Sequence, residues 1–130
     1  MKVLTLNTHS WQEENQLEKL ETLTHAILEQ DFDVIALQEV NQHQSSALIH
    51  EPIPSNTGIK QGNYAYLLQK KLARLGAKYH LCWDYVHQSY DVYEEGLAFL
   101  TKAEILSHQT IDLSPDYDET FWKHRRASHI

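Results

Sequence analysis

Apolar residues in this chain fall into two patterns, short continuous runs and stripes at helical spacing. The run in Lys2–Leu6 predicts a buried β-strand that stops at Asn7. Leu17, Leu20, Leu23, Ile27 and Leu28 then recur every three or four residues, which lays one apolar stripe along a helix. Asn15-Gln16-Leu17-Glu18 reads as a capping box opening that helix. Asp31 and Asp33 bracket Phe32 in a turn, and Val34-Ile35-Ala36-Leu37 follows with no polar interruption. Such a run predicts a strand buried on both faces and central in its sheet. Strand, helix and strand make a βαβ unit whose right-handed crossover leaves the strands parallel, with both C-terminal ends at one sheet edge. Asn7 and Glu39, each able to bind a hard cation, are expected to converge there.

From Asn41 to Gly62 the pattern dissolves into Gln, Ser, His, Pro and Gly, a loop of about twenty residues, long enough to suggest a functional rim. Asn63–Leu75 predicts a second helix with Leu67, Leu68, Leu72 and Leu75 inside and Gly76 as its stop. Lys78–His87, Gly96–Thr101 and Ile105–Leu113 read as antiparallel strands, and Arg125–Ile130 as the start of another. Two helices can cover one sheet face, yet Val34–Leu37 and Leu97–Leu100 are apolar on both. The second face has no covering layer in this sequence, and the last residues fall within an expected strand. Residues 1–130 are therefore expected to be the first part of a larger domain. Alone, the chain is expected to be unstable and to self-associate through its uncovered face.

Composition narrows the function. With 130 residues and 42% hydrophobic content, the chain lies outside the range of disorder and can form one domain with a core. A formal net charge of −7 argues against a general polyanion-binding surface, leaving only local basic patches such as Lys123-His124-Arg125-Arg126. The lone Cys82 excludes a disulfide framework or thiolate zinc site and reads as a small buried hydrophobe. It favours a reducing compartment, and no apolar run is long enough for a membrane span, so a cytoplasmic location is expected. Of nine histidines only His9 stands beside a proposed site residue; the others, His87, His108 and His124 among them, show no ligand spacing and read mostly as surface residues. Trp11, Trp83 and Trp122 read as packing residues, with Trp11 placed to line a cleft.

Four segments, Leu6-Asn7-Thr8-His9, Asp33–Val40, Tyr93–Lys102 and Arg125-Arg126-Ala127, occur in an order that resembles the endonuclease/exonuclease/phosphatase superfamily, the group of deoxyribonuclease I and exonuclease III. The resemblance runs through essentially the whole chain and matches the N-terminal half of that domain. It implies an α/β fold, one half of a two-sheet sandwich with a mixed sheet and helices on one face. It implies Mg²⁺ as cofactor, with Mn²⁺ as the alternative ion, held by Glu39 and Asn7. Asn7, Arg126 and His9 would bind phosphate. Glu95 and Tyr93 would serve catalysis, Glu95 as the carboxylate that orients a catalytic histidine and Tyr93 as a phosphate contact. The family's Asp-x-Asn segment and closing Asp-His pair have no counterpart before Ile130, so the chain alone is expected to be inactive. The implied parent is a metal-dependent phosphodiesterase or phosphatase acting on nucleic acid or a small phosphate ester, and the acidic charge tilts the substrate away from long duplex DNA. The rival reading is a non-catalytic α/β interaction module, favoured if the natural chain stops at Ile130.

Overall fold

A computed structural model of the chain describes residues 1–12, 14–114, 118, 120 and 124–130. Trp122 and Lys123 lie outside the described residues. The elements run β1 (Val3–Asn7), a 3-10 turn (Ser10–Gln12), α1 (Gln16–Gln30), β2 (Val34–His43), α2 (Tyr64–Arg74), β3 (His80–Ser89), β4 (Tyr93–Thr101), β5 (Gln109–Asp112) and β6 (Arg126–His129). The first four strands form one sheet in the order β1-β2-β4-β3, and β5 pairs with β6 in a second, two-stranded sheet. β1 and β2 are parallel and the other pairings antiparallel, so the main sheet is mixed.

Cross-strand register sorts the apolar residues onto faces. Ile35 pairs with Leu100 and Leu37 with Ala98, while Leu81 and Trp83 stand opposite the same two β4 residues. Leu20 and Ile27 of α1 and Leu68 and Leu72 of α2 pack into that cluster, all fully buried. Each such side chain contributes roughly 1.5–3 kcal/mol by leaving water. This face is the core, and both helices lie on it. On the other face Val34, Ala36, Leu97 and Phe99 are half-buried. The β5–β6 pair supplies part of the second layer that the sequence reading found missing, with β6 touching β4 and Ser128 Oγ donating to Asp84 Oδ2.

Several expectations are corrected. β1 is not buried: among the described residues it is an edge strand with one neighbour, and Val3 is 57% exposed. The capping box at Asn15 does not form, because Asn15 is left-handed (φ 59°, ψ 33°) and its side chain caps nothing. An N-cap needs an extended backbone to aim its oxygen at the first-turn N–H groups. The α1 stripe is shifted: Leu17 is 67% exposed, and Thr24 is buried in its row with its hydroxyl bonded to Leu20 O at 2.7 Å. In α2 the true cap is Asn63, whose side chain accepts from the amides of Ala65 and Tyr66, and Leu75 lies past the helix, half exposed. Asn41, Gln42 and His43 belong to β2 rather than the loop. Buried Gln42 then ties the loop down, accepting from Lys60 N at 2.8 Å and Asn63 Nδ2 at 3.0 Å and donating to Glu94 Oε1 at 3.0 Å. The expected strand Ile105–Leu113 shrinks to Gln109–Asp112.

Candidate active site

The β2 strand does not run straight into its last residues. Its register with β4 slips between Leu37 and Val40, and within that bulge Glu39 takes a left-handed φ of 53°. A non-glycine residue held there costs on the order of 1–3 kcal/mol, and a bulge re-aims the side chain it carries. A second slip, in the β3–β4 pairing between Tyr85 and His87, lies on the neighbouring strand pair. Both irregularities border one cavity of about 450 Å³, whose wall includes Glu39, His87, Glu95, Gly96, Arg125 and Arg126.

The edge formed by β1 and β2 is knit together by the residues after Asn7. Thr8 N donates to Gln38 O at 3.0 Å and Thr8 Oγ1 stands 3.1 Å from Glu39 O. His9 touches both proposed metal ligands: its backbone N–H donates to Asn7 Oδ1 at 3.1 Å, and its Nδ1 lies 2.9 Å from Glu39 Oε2. Hard oxygen donors thus stand close to one sheet edge, an amide carbonyl at the end of β1 and a carboxylate in the bulge of β2, one residue past its last pairing with β1. β2 does not stop at Glu39 as expected but runs on to His43. That donor set suits an Mg²⁺-like ion, which takes one or two carboxylates and fills the rest of its shell with water or phosphate oxygen.

Across the cavity, Glu95 is held on both carboxylate oxygens, by Gln12 Nε2 at 3.2 Å and by His87 Nε2 at 2.9 Å. The His87 pKa is raised, first by its bond to Glu95 and against the opposing effect of burial. A raised folded-state pKa means that this pair stabilises the fold fully below the ordinary histidine value, about 6.5, and loses that contribution as pH rises through the raised one. Arg126 lines the cavity with one guanidinium N–H donated to Tyr85 O at 3.0 Å and its carbon 5.9 Å from the Tyr85 ring centre.

Of the residues singled out from sequence, Glu39, Glu95 and Arg126 share the cavity wall. Asn7 and His9 stand at its Glu39 edge through the contacts above. Tyr93 does not line it; its ring meets His43 edge-on at 5.6 Å. Trp11 lines a different hollow and donates to Gly62 O at 2.9 Å, while Trp83 is a core residue as expected. Sequence reasoning missed His87, Gln12 and Asn41. Asn41 and His87 stand directly opposite Glu95 on its two neighbouring strands. Asn41 is fully buried, and neither its amide oxygen nor its nitrogen has a partner among the described residues. His124, 2% exposed, is likewise no surface residue.

A second group of ligand-type residues, Cys82, Asp84 and His108, lies at the base of the β5–β6 sheet with its donor atoms within 4.8 Å of one another. The geometry is that of a hydrogen-bonded network. His108 Nε2 is 2.6 Å from Asp84 Oδ1, whereas two ligands on tetrahedral zinc, at about 2.1 Å each, stand roughly 3.4 Å apart. Asp84 accepts also from Asn56 N at 3.2 Å. Burial first, and then the Asp84 charge, push the Cys82 thiol up to about 12, so it remains protonated.

No family model and no curated protein matches this sequence. Among solved structures the chain is similar to an endonuclease/exonuclease/phosphatase family protein from Leptotrichia buccalis C-1013-b, with 34% identity over 98% of this chain and a TM-score of 0.86. The chain has the endonuclease/exonuclease/phosphatase fold. It spans 47% of that protein's chain, about half of the neighbour's length. None of the described helices is long and apolar enough to cross a membrane.

Proposed function

We propose that residues 1–130 are the N-terminal part of an endonuclease/exonuclease/phosphatase domain and carry half the active site of a metal-dependent phosphoester hydrolase. The observation that supports this best is the meeting of Glu39, Glu95 and Arg126, from three strands, on one cavity wall. Glu39 and Asn7 would hold Mg²⁺, or Mn²⁺ in its place, and the ion when bound would polarise a phosphoryl oxygen and stabilise the leaving oxygen. Arg126 offers a planar guanidinium suited to multidentate recognition of phosphate. His9 steadies Glu39 and Asn7 from outside through the two contacts it makes. Glu95 supplies a fixed carboxylate able to orient a histidine from beyond Ile130. Tyr93, turned toward His43, would act only at the rim. A single buried cysteine and the acidic charge suit a cytoplasmic enzyme acting on a small phosphodiester or phosphate ester rather than long duplex DNA.

The test is hydrolysis of bis(p-nitrophenyl) phosphate and p-nitrophenyl phosphate by the full-length protein. Treatment with EDTA is expected to abolish turnover of the preferred compound, and returning Mg²⁺ or Mn²⁺ to restore it. Turnover that survives exhaustive chelation unchanged would contradict the reading.

A further inference from the structure

Glu95 is held more firmly than any other acid on the cavity wall, and most of that hold comes from a residue with no place in the reading above. His87 Nε2 is 2.9 Å from Glu95 Oε2, and its other ring nitrogen, Nδ1, lies 2.9 Å from Gln88 O. A carboxylate and a carbonyl are both acceptors, so two acceptors facing two ring nitrogens call for a proton on each. The side chains are only 14% and 13% exposed, which shields the contact from water. Gln12 Nε2 completes the arrangement, donating to Glu95 Oε1 at 3.2 Å and to Ser89 Oγ at 2.6 Å. Arg125, Arg126 and Glu39 are the other charged groups on this wall.

We propose that His87 is a positioning residue, which together with Gln12 fixes the orientation of the Glu95 carboxylate at the Glu39–Arg126 cavity; this rests on the reading of that cavity as a phosphoester site. Both His87 ring nitrogens are committed within the chain, so the ring has no N–H to offer a substrate and acts through Glu95. A carboxylate gripped on both oxygens cannot swing, and groups of this kind around a metal or phosphate site typically govern 10- to 100-fold in activity. The position of His87 follows from register: the slip between Tyr85 and His87 brings His87, rather than Val86, opposite Glu95.

The experiment compares kcat and KM for the phosphoester that the full-length protein turns over, with Mg²⁺ present, in wild type, His87→Ala, His87→Gln, Glu95→Gln and the double variant His87→Ala/Glu95→Gln. His87→Ala is expected to lower kcat by ~10- to 100-fold with little change in KM. His87→Gln, which keeps a donor on a side chain of similar reach, is expected to recover much of the loss, and the double variant to be no worse than Glu95→Gln alone. Nitrogen NMR of the His87 ring is expected to show both nitrogens protonated at neutral pH in wild type and not in Glu95→Gln. Wild-type kcat in a folded His87→Ala protein, multiplicative losses in the double variant, or a singly protonated His87 ring would each overturn the proposal. A wild-type protein without metal-dependent turnover would instead overturn the reading of the cavity, and the proposal with it.

Discussion

Glu39→Ala in the full-length protein is expected to lower metal-dependent phosphoester hydrolysis by at least ~100-fold, the scale on which removing one dedicated electrostatic group at a reacting centre acts. The physical reason is specific to this position. Glu39 lies in a bulge with a left-handed backbone, so its carboxylate is aimed by a local distortion that β2 maintains against strain. Alanine removes the charge and leaves the distorted backbone with nothing to present. Water cannot substitute for an anionic ligand, and His9 would lose its partner at 2.9 Å as well. Cys82→Ser serves as the control: Cys82 is fully buried and absent from the cavity wall, and turnover is expected to stay within a few-fold of wild type. Initial rates across a range of Mg²⁺ concentrations check both. Glu39→Ala activity within a few-fold of wild type at saturating metal would remove Glu39 from the site.

The second large effect is structural. A Cβ added at Gly96 would stand 2.2 Å from the Asp84 carbonyl oxygen and 2.7 Å from the Trp83 ring. Neither neighbour can yield. Asp84 O belongs to the paired strand β3, and Trp83 is fully buried with its Nε1 donating to Val40 O at 3.0 Å across the core. Gly96→Ala must therefore push β3 and β4 apart where they pair, which is overpacking against backbone. A loss of about 3 kcal/mol or more is expected. Gly76→Ala gives the comparison, because Gly76 has a φ of +89° but nothing within 4 Å of an added Cβ. Its cost is conformational only, about 1–2 kcal/mol. Urea denaturation of the two variants separates the causes, and a Gly96→Ala protein no less stable than Gly76→Ala would show that the β3–β4 approach is looser than described.

The βαβ start was legible because its signals are local. Val34–Leu37 is apolar without interruption, and the helical stripe before it has only one way to meet a sheet. Where the reading slipped, the cause was also local chemistry overruled by context. Leu17 fits the stripe by spacing, yet α1 begins from a left-handed Asn15 and turns Leu17 outward, with Gln16 and Thr24 buried instead. Glu39, Glu95 and Arg126 could be singled out because each sits in a short string with a family pattern. His87 and Asn41 have no such string. They meet Glu95 only through the register of three strands, and that register depends on two slips that leave no mark in spacing. Cys82, Asp84 and His108 illustrate the same limit: Cys82 and Asp84 share a strand face by alternation, but His108 arrives from a segment without regular structure.

The claim on which the rest depends is that a hard cation binds at the Glu39 edge of the cavity. Paramagnetic broadening by substoichiometric Mn²⁺ of histidine ring signals in the full-length protein, assigned with His9→Gln and His108→Gln, tests it directly. His9, which touches both Glu39 and Asn7, is expected to broaden first and to stay sharp in Glu39→Ala, while His108, bonded to Asp84, stays sharp throughout. Broadening centred on His108 with His9 unaffected would place the metal elsewhere and contradict the account.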